Sequence, residues 1–269
     1  MRSTTPSATK KSTPEPQLFE VPVPGGTLAV ESAGAGPALV LLHGWALDRR
    51  IWAPQRPLAE SFRLIAIDRR GFGLSTAPPD LAAEADDLLA LRETLRLGRL
   101  ILVGMSQGAR TALQFAHRYP EHVAGLVLQG APLDGFQPGP RGQDAIPIGV
   151  YRALVRGGRL TAMKALWKDH PLMGGVDIPD ILDRYDGRDL LAREQAPTPL
   201  AAMLADIEPP ALVVTGEEDV PWRQLVGDAL AYGLRSARRA RIEGGHLCNY
   251  SRPGAFNDLV ASFAAELAA

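Results

Sequence analysis

Cysteine is nearly missing from this chain: Cys248 is the only one among 269 residues. That excludes an internal disulfide and fits a reducing compartment, so a cytoplasmic location is expected. Long apolar runs are missing too. No stretch approaches the roughly 20 residues that cross a bilayer, and no membrane partner is expected. Neither sign of charge is in excess. Lys plus Arg total 29 against 30 Asp plus Glu, a formal net charge of -1, which leaves no electrostatic footprint for nucleic acid. The densest basic run, Arg235, Arg238, Arg239 and Arg241, reads as cations at a helix end that offset its dipole. No internal repeat is visible. Residues Met1 to Pro16 are rich in Ser, Thr, Pro and Lys and lack the apolar segment of a secretory signal. They are expected to be a flexible tail without a catalytic part.

What is present suits one domain with an insertion. Hydrophobic residues make up 46% and charged residues 22%, and the length allows a sizeable core. Short apolar runs alternate with longer helical patterns, which predicts a mainly parallel sheet of about eight strands flanked by helices. The predicted strands are Leu28 to Ser32, Ala38 to Leu42, Leu64 to Ile67, Ile101 to Val103, Leu126 to Leu128, Ala211 to Val214 and Arg239 to Ile242. Helices are predicted near Trp52 to Ser61, Leu81 to Leu95, Ser106 to Tyr119, Trp222 to Tyr232 and Pro253 to Leu267. The rhythm breaks between Asp134 and about Pro210. Pro138, Gly139, Pro140 and Gly142 open that stretch, Pro197, Pro199, Pro209 and Pro210 punctuate its exit, and short helices are predicted over Val150 to Val155 and Leu160 to Trp167. Residues 135–209 are therefore expected to form a helical cap inserted before the penultimate strand, with residues 17–134 and 210–269 as the core.

The chemistry gathers around Gly104-Met105-Ser106-Gln107-Gly108. The pentapeptide sits between a predicted buried strand and a predicted helix, the context in which Gly-x-Ser-x-Gly forms a nucleophile elbow. A serine hydroxyl needs a neighbouring base. His246, following Glu243-Gly244-Gly245 at a predicted sheet end, is the candidate. His117, His122 and His170 lie on or beside helices and read as surface or packing residues. The base needs a carboxylate to fix its tautomer. Asp219, three residues after the strand and turn ending in Gly216, is preferred over its neighbours Glu217 and Glu218, read as solvated loop charges, and over the remoter Asp134. Chain order Ser106, Asp219, His246 separates the set from other triad orders, and all three fall at strand ends, where an open α/β sheet places its ligands. Oxyanion donors are expected from the backbone amides of Gln107 and Trp45, the latter on the loop after Ala38 to Leu42. His43 is read as a brace for that loop.

Taken together, Leu41-Leu42-His43-Gly44-Trp45, Asp68-Arg69-Arg70-Gly71-Phe72-Gly73-Leu74-Ser75, the Ser106 elbow, Gly216-Glu217-Glu218-Asp219 and Gly245-His246 resemble the blocks of the α/β-hydrolase superfamily, in its order, over about residues 20 to 265 apart from the cap. Within it the chain is similar to small bacterial carboxylesterases and oxoadipate enol-lactonase-like hydrolases. The resemblance implies an acyl-enzyme mechanism on a small-molecule ester or lactone, without metal or organic cofactor. It also implies that Asp68 to Ser75 is a conformational element. Ala109 departs from the second glycine common after the elbow.

Pocket lining is expected from Trp45, Met105, Val220 and Leu247, neighbours of the catalytic set; Met163, Leu166 and Trp167 of the cap share a helical spacing that more often packs against its own domain, with Met163 and Trp167 lining the pocket where that stripe faces the cleft. Such a pocket is apolar and suits an uncharged acyl group. Arg110 reads as a helix-surface charge, with a substrate carboxylate as the alternative partner, and Cys248 as a packing residue. Serine at the elbow argues against the dehalogenase and epoxide-hydrolase branches, which use aspartate. The same triad also serves C–C bond hydrolysis, acyl transfer and perhydrolysis, and a non-catalytic ligand receptor can retain the fold. Sequence leaves these open, together with monomer or homodimer.

Overall fold

The computed structural model describes residues 15–137, 139, 145–193 and 198–267. Most of the expected tail lies outside the described residues, as do Pro138, Pro140, Gly142 and Pro197. Eight strands form one sheet in the order β1-β2-β4-β3-β5-β6-β7-β8: β1 (Gln17–Val23), β2 (Gly26–Ala33), β3 (Ala38–Leu42), β4 (Arg63–Ile67), β5 (Leu100–Met105), β6 (Val123–Gln129), β7 (Ala211–Gly216) and β8 (Ala237–Ile242). β1–β2 and β2–β4 pair antiparallel, and every later pair is parallel. The central strands are continuous apolar runs because helices cover both faces of a parallel sheet; all six residues of β5 are buried.

Five helices make those covers: α1 (Glu84–Thr94), α2 (Gln107–Arg118), α7 (Pro221–Gly233), α8 (Cys248–Ser251) and α9 (Pro253–Glu266). Between β6 and β7 the chain leaves the sheet for α3 (Ile148–Arg156), α4 (Leu160–Lys168), α5 (Pro179–Arg184) and α6 (Arg188–Leu191). α2 belongs to one apolar cluster with α1 and one face of the sheet. Helices α3 to α6 join the other cluster, where Tyr151, Met163 and Trp167 are buried beside Trp45 and Met105, whereas Leu200, Leu204 and Ile207 near the exit of the excursion belong to the first.

Three local readings need correction. β1 was not anticipated: only Val21 and Val23 of its seven residues are buried, so its alternation is weak, and Pro22 is tolerated because the strand is an edge. Arg49–Glu60 is a series of 3₁₀ turns, with Pro54 and Pro57 inside it removing the amides an α-helix would use. Arg238, Arg239 and Arg241 belong to edge strand β8 rather than to a helix end. They pair with Glu266 and Asp228 at 3.0 Å, and charge on an exposed edge discourages pairing with another chain.

The sheet order turns back on itself at β3. The chain steps outward to β4, then returns to the other side as β5. Ligands of open α/β sheets bind beyond the carboxyl ends of strands at such a reversal. Trp45 follows β3 and Ser106 follows β5, so the two flank the switch point.

Candidate active site

Ser106 occupies a left-handed backbone, φ 51° and ψ -118°, between β5 and α2. A non-glycine residue holds such angles only where its surroundings enforce them. Here they do. A Cβ on Gly108 would lie 2.1 Å from Leu42 O, and one on Gly104 would lie 2.5 Å from Ala109 Cα; these two glycines let α2 start directly against β3 and β5. The Ser106 amide donates to Gln129 O at 2.8 Å, tying the turn to β6.

His246 and Asp219 meet over the end of β6. The ring Nδ1–H donates to Asp219 Oδ2 at 2.9 Å, and both side chains are buried. Asp219 Oδ1 accepts from the Val220 amide at 2.8 Å. Glu217 and Glu218 are exposed, and Asp134 is 2.7 Å from Arg110 Nε. Arg110 is thus an ion-pair partner of Asp134 within the chain. Two residues missed by sequence reasoning shape this corner. Gly130 has φ +52°, and a Cβ there would stand 2.6 Å from His246 Cε1 and 3.3 Å from Asp219 Oδ2. Buried Gln129 donates from Nε2 to His246 O at 2.8 Å and to Asn249 Oδ1 at 2.9 Å, while Gln55 donates to Asn249 O at 2.8 Å. The histidine loop therefore hangs on a buried amide network.

Ser106 and His246 line one cavity with Gly44, Trp45, Leu47, Met105, Ile146, Trp167, Leu172, Met173 and Leu247. Among the described residues no hydrogen bond yet joins Ser106 Oγ to the ring; catalytic hydrogen bonds often close only with substrate in place. Of the residues expected to line the pocket, Trp45, Met105, Trp167 and Leu247 reach this wall. Met163 and Val220 do not. Met163 is fully buried in the apolar cluster that Val220 also packs against, so each spends its side chain on packing. Ile146, Leu172 and Met173 were not anticipated, because helical spacing in the excursion does not tell which face meets the sheet. The free volume is only ≈ 20 Å³, about one water, and Ile146, Trp167, Leu172 and Met173 of the excursion form one wall of it.

Gln107 follows the serine at the start of α2, and Trp45 lines the same cavity as Ser106. Neither main-chain amide donates to another protein group among the described residues, and a Cβ on Gly44 would lie 3.4 Å from Ser106 Cβ. Both loops are braced by one buried arginine. The Arg69 amide donates to His43 Nε2 at 3.0 Å. Its guanidinium donates to Gln107 Oε1 at 2.5 Å and to Glu84 at 2.8 Å, and Glu84 also accepts from Thr111 Oγ1. His43 Nδ1 donates to Gly44 O at 2.7 Å. With both nitrogens engaged, and with burial and then Arg69 holding its pKa well below the usual value, His43 is a brace and has no lone pair to spare for a proton. Asp68, fully buried, accepts from the Arg49 and Leu74 amides at 2.7 and 2.8 Å, which fixes the 68–75 segment. Cys248 is buried, and burial pushes its thiol up to about 12.

Two adjacent residues of α6 bind these loops through polar groups. Asp189 Oδ2 accepts the Trp45 indole N–H at 2.7 Å, and Oδ1 accepts the Tyr185 hydroxyl at 2.6 Å. Arg188 donates to the carbonyls of Gly71 at 2.9 Å, Gly73 at 3.3 Å and Ser75 at 2.9 Å.

Comparison with known proteins agrees with this architecture. Residues 37–173, just over half of the chain, match the alpha/beta hydrolase fold family. A pimeloyl-[acyl-carrier protein] methyl ester esterase of Nitrosospira multiformis is 29% identical over 219 residues, 72% of this chain and 81% of that one. A 2-(acetamidomethylene)succinate hydrolase of Mesorhizobium japonicum is 38% identical over 105 residues, but the match spans only 38% of either chain. The enol-lactonase of Burkholderia xenovorans LB400 superimposes with a TM-score of 0.78 at 24% identity, over 92% of this chain and all of that one, a likeness of fold. The chain belongs to the α/β hydrolase fold family, resembles its small bacterial esterases, and has the relatives of a hydrolase. Among the described residues no helix is long and apolar enough to cross a membrane.

Proposed function

We propose that the protein is a serine hydrolase that cleaves carboxylic esters or lactones of uncharged, apolar acyl groups, with residues 135–209 as its cap. The observation that carries this reading is the buried His246–Asp219 pair, 2.9 Å apart, whose histidine lines the same cavity as a serine held in a strained elbow. His246 Nε2 takes the Ser106 proton as Oγ attacks the carbonyl carbon, and Asp219 holds the ring tautomer and stabilises the imidazolium. The Trp45 and Gln107 amides receive the oxyanion, each such donor being worth roughly 3 kcal/mol in the transition state. His246 then protonates the leaving alcohol, and water, deprotonated by the same ring, releases the acid. The esterase among the relatives supports an ester substrate, and the apolar walls support an uncharged acyl chain.

The test is a panel of p-nitrophenyl esters from acetate to octanoate, with simple lactones, run on wild type and Ser106→Ala. The reading expects turnover of short or medium acyl groups that the alanine variant loses. Turnover only of peroxide, of a C–C bonded diketone, or of no carbonyl compound at all would replace it with one of the other uses of this fold.

A further inference from the structure

Trp45 has two roles in the geometry, and they belong to different parts of the chain. In the proposed mechanism its main-chain amide is an oxyanion donor, and Trp45 lines the same cavity as Ser106. Its side chain lies among the helices of the excursion: the indole stacks on Tyr151 at 5.8 Å, meets Trp167 edge-on at 4.8 Å and Tyr185 at 5.8 Å. The next residue, Ala46, has φ 57°, a left-handed conformation that an alanine does not choose unaided. Something must hold the loop there. The polar anchor is Asp189, whose two carboxylate oxygens are taken by the Trp45 indole and the Tyr185 hydroxyl. Asp189 makes no ion pair with any cation among the described residues, and burying a carboxylate without one is costly. The neighbouring Arg188 binds three carbonyls of the 71–75 segment, so the short helix α6 is held on the core by adjacent residues of opposite charge.

We propose that Asp189 is a positioning residue: by holding the Trp45 indole, it sets the Trp45 main-chain amide at the oxyanion site and makes transition-state stabilisation depend on the seating of α6. The proposal rests on the serine-hydrolase reading and deepens it. A cap that has not docked leaves Trp45 unanchored and the oxyanion site one donor short. A substrate that displaces cap side chains on entry must therefore let α6 re-seat before chemistry proceeds.

The experiment compares wild type, Asp189→Ala, Asp189→Asn and Ser106→Ala on p-nitrophenyl acetate. It also records the ¹⁵N–¹H spectrum of tryptophan-labelled protein. A displaced oxyanion donor acts in the transition state, so Asp189→Ala should lower kcat about tenfold or more while KM stays within about threefold. Asn accepts the indole proton through its oxygen and donates to Tyr185 through its nitrogen, so Asp189→Asn should keep at least about a third of kcat. The indole and main-chain resonances of Trp45 should both move in Asp189→Ala. If Asp189→Ala fails to fold, Trp45→Phe, which removes the indole donor and keeps an aromatic ring, should show the same loss of kcat. An Asp189→Ala enzyme with unchanged kcat, a loss confined to KM, an asparagine variant as poor as alanine, or an unmoved Trp45 amide would overturn the proposal. Turnover retained in Ser106→Ala would instead sink the serine mechanism, and the spectrum would still decide whether Asp189 sets the amide.

Discussion

The two walls of the candidate site are built by opposite means. The sheet side carries the polar groups of the site, beside apolar Trp45, Leu47, Met105 and Leu247, and has little slack. Ser106, Asp219 and His246 stand at strand ends, Gly108 and Gly130 leave no room for a methyl group, and Gln129, Asn249 and Gln55 link the histidine loop through buried amides. The excursion side is apolar and fills the cavity with Ile146, Trp167, Leu172 and Met173, and its polar contacts with the loops around the site come from Asp189 and Arg188. Close steric contact fixes a reacting geometry, whereas side chains packed without directional bonds can part and repack. The sheet side is therefore suited to setting the reaction, and the excursion to choosing what reaches it.

That contrast can be broken by mutation. Changes on the sheet side should lower turnover of every substrate, and changes on the excursion side should redistribute it. Ser106→Ala should cost the most, a fall in kcat of about 10⁴-fold or more for any ester, measured in steady state with the fold checked by circular dichroism. Gly130→Ala comes next. Its Cβ would press on His246 at 2.6 Å in a backbone with φ +52°, and displacing the base by a fraction of an ångström should cost about 100-fold in kcat. If kcat survives, the sheet side has more slack than the geometry allows.

Leu172→Ala should have a smaller and different effect. Enlarging the cavity from the cap should raise kcat/KM for longer acyl chains against acetate by about tenfold, with little change in kcat on acetate. An equal loss on all chain lengths would erase the distinction between the walls. Gln129→Ala should leave the buried Asn249 and the His246 carbonyl short of a donor, lowering unfolding free energy by about 2 kcal/mol in a urea titration. The smallest expected effect is at Cys248. A thiol held up to about 12 stays protonated below that pH. Iodoacetamide should leave activity unchanged across pH 7 to 9, whereas a free thiol of ordinary pKa would react progressively faster over that range.

The same contrast explains what could be read before the structure. The sheet side is local: a strand, a glycine turn and a helix follow one another in sequence, so Gly104 to Gly108, His43 to Trp45 and Gly245 to His246 each carry their meaning within a few residues. The carboxylate that pairs with His246 was legible because Asp219 stands three residues after β7. What escaped was non-local. Gly130 matters only because His246, over a hundred residues later, lies against it, and Gln129 only because His246 O and Asn249 come within its reach. The excursion was visible as a break in the strand–helix rhythm, but its short helices carry little periodicity. The helical spacing of Met163 favoured packing, which is where it lies, but nothing in Val220 announced that it packs against the same cluster, or that Leu172 and Met173 would line the cavity. Arg110 and Asp134 looked like separate charges until the fold placed them 2.7 Å apart.

The proposed chemistry requires Ser106 Oγ to be the atom that takes the acyl group. Intact-protein mass spectrometry after incubation with a fluorophosphonate measures this directly, since the reagent is captured only by a serine that a neighbouring base has activated. One adduct per chain on wild type, mapped to the peptide containing Ser106 and absent from Ser106→Ala and much slowed in His246→Ala, is the predicted result. A wild-type chain that stays unlabelled, or a Ser106→Ala chain that gains the same mass, would contradict it.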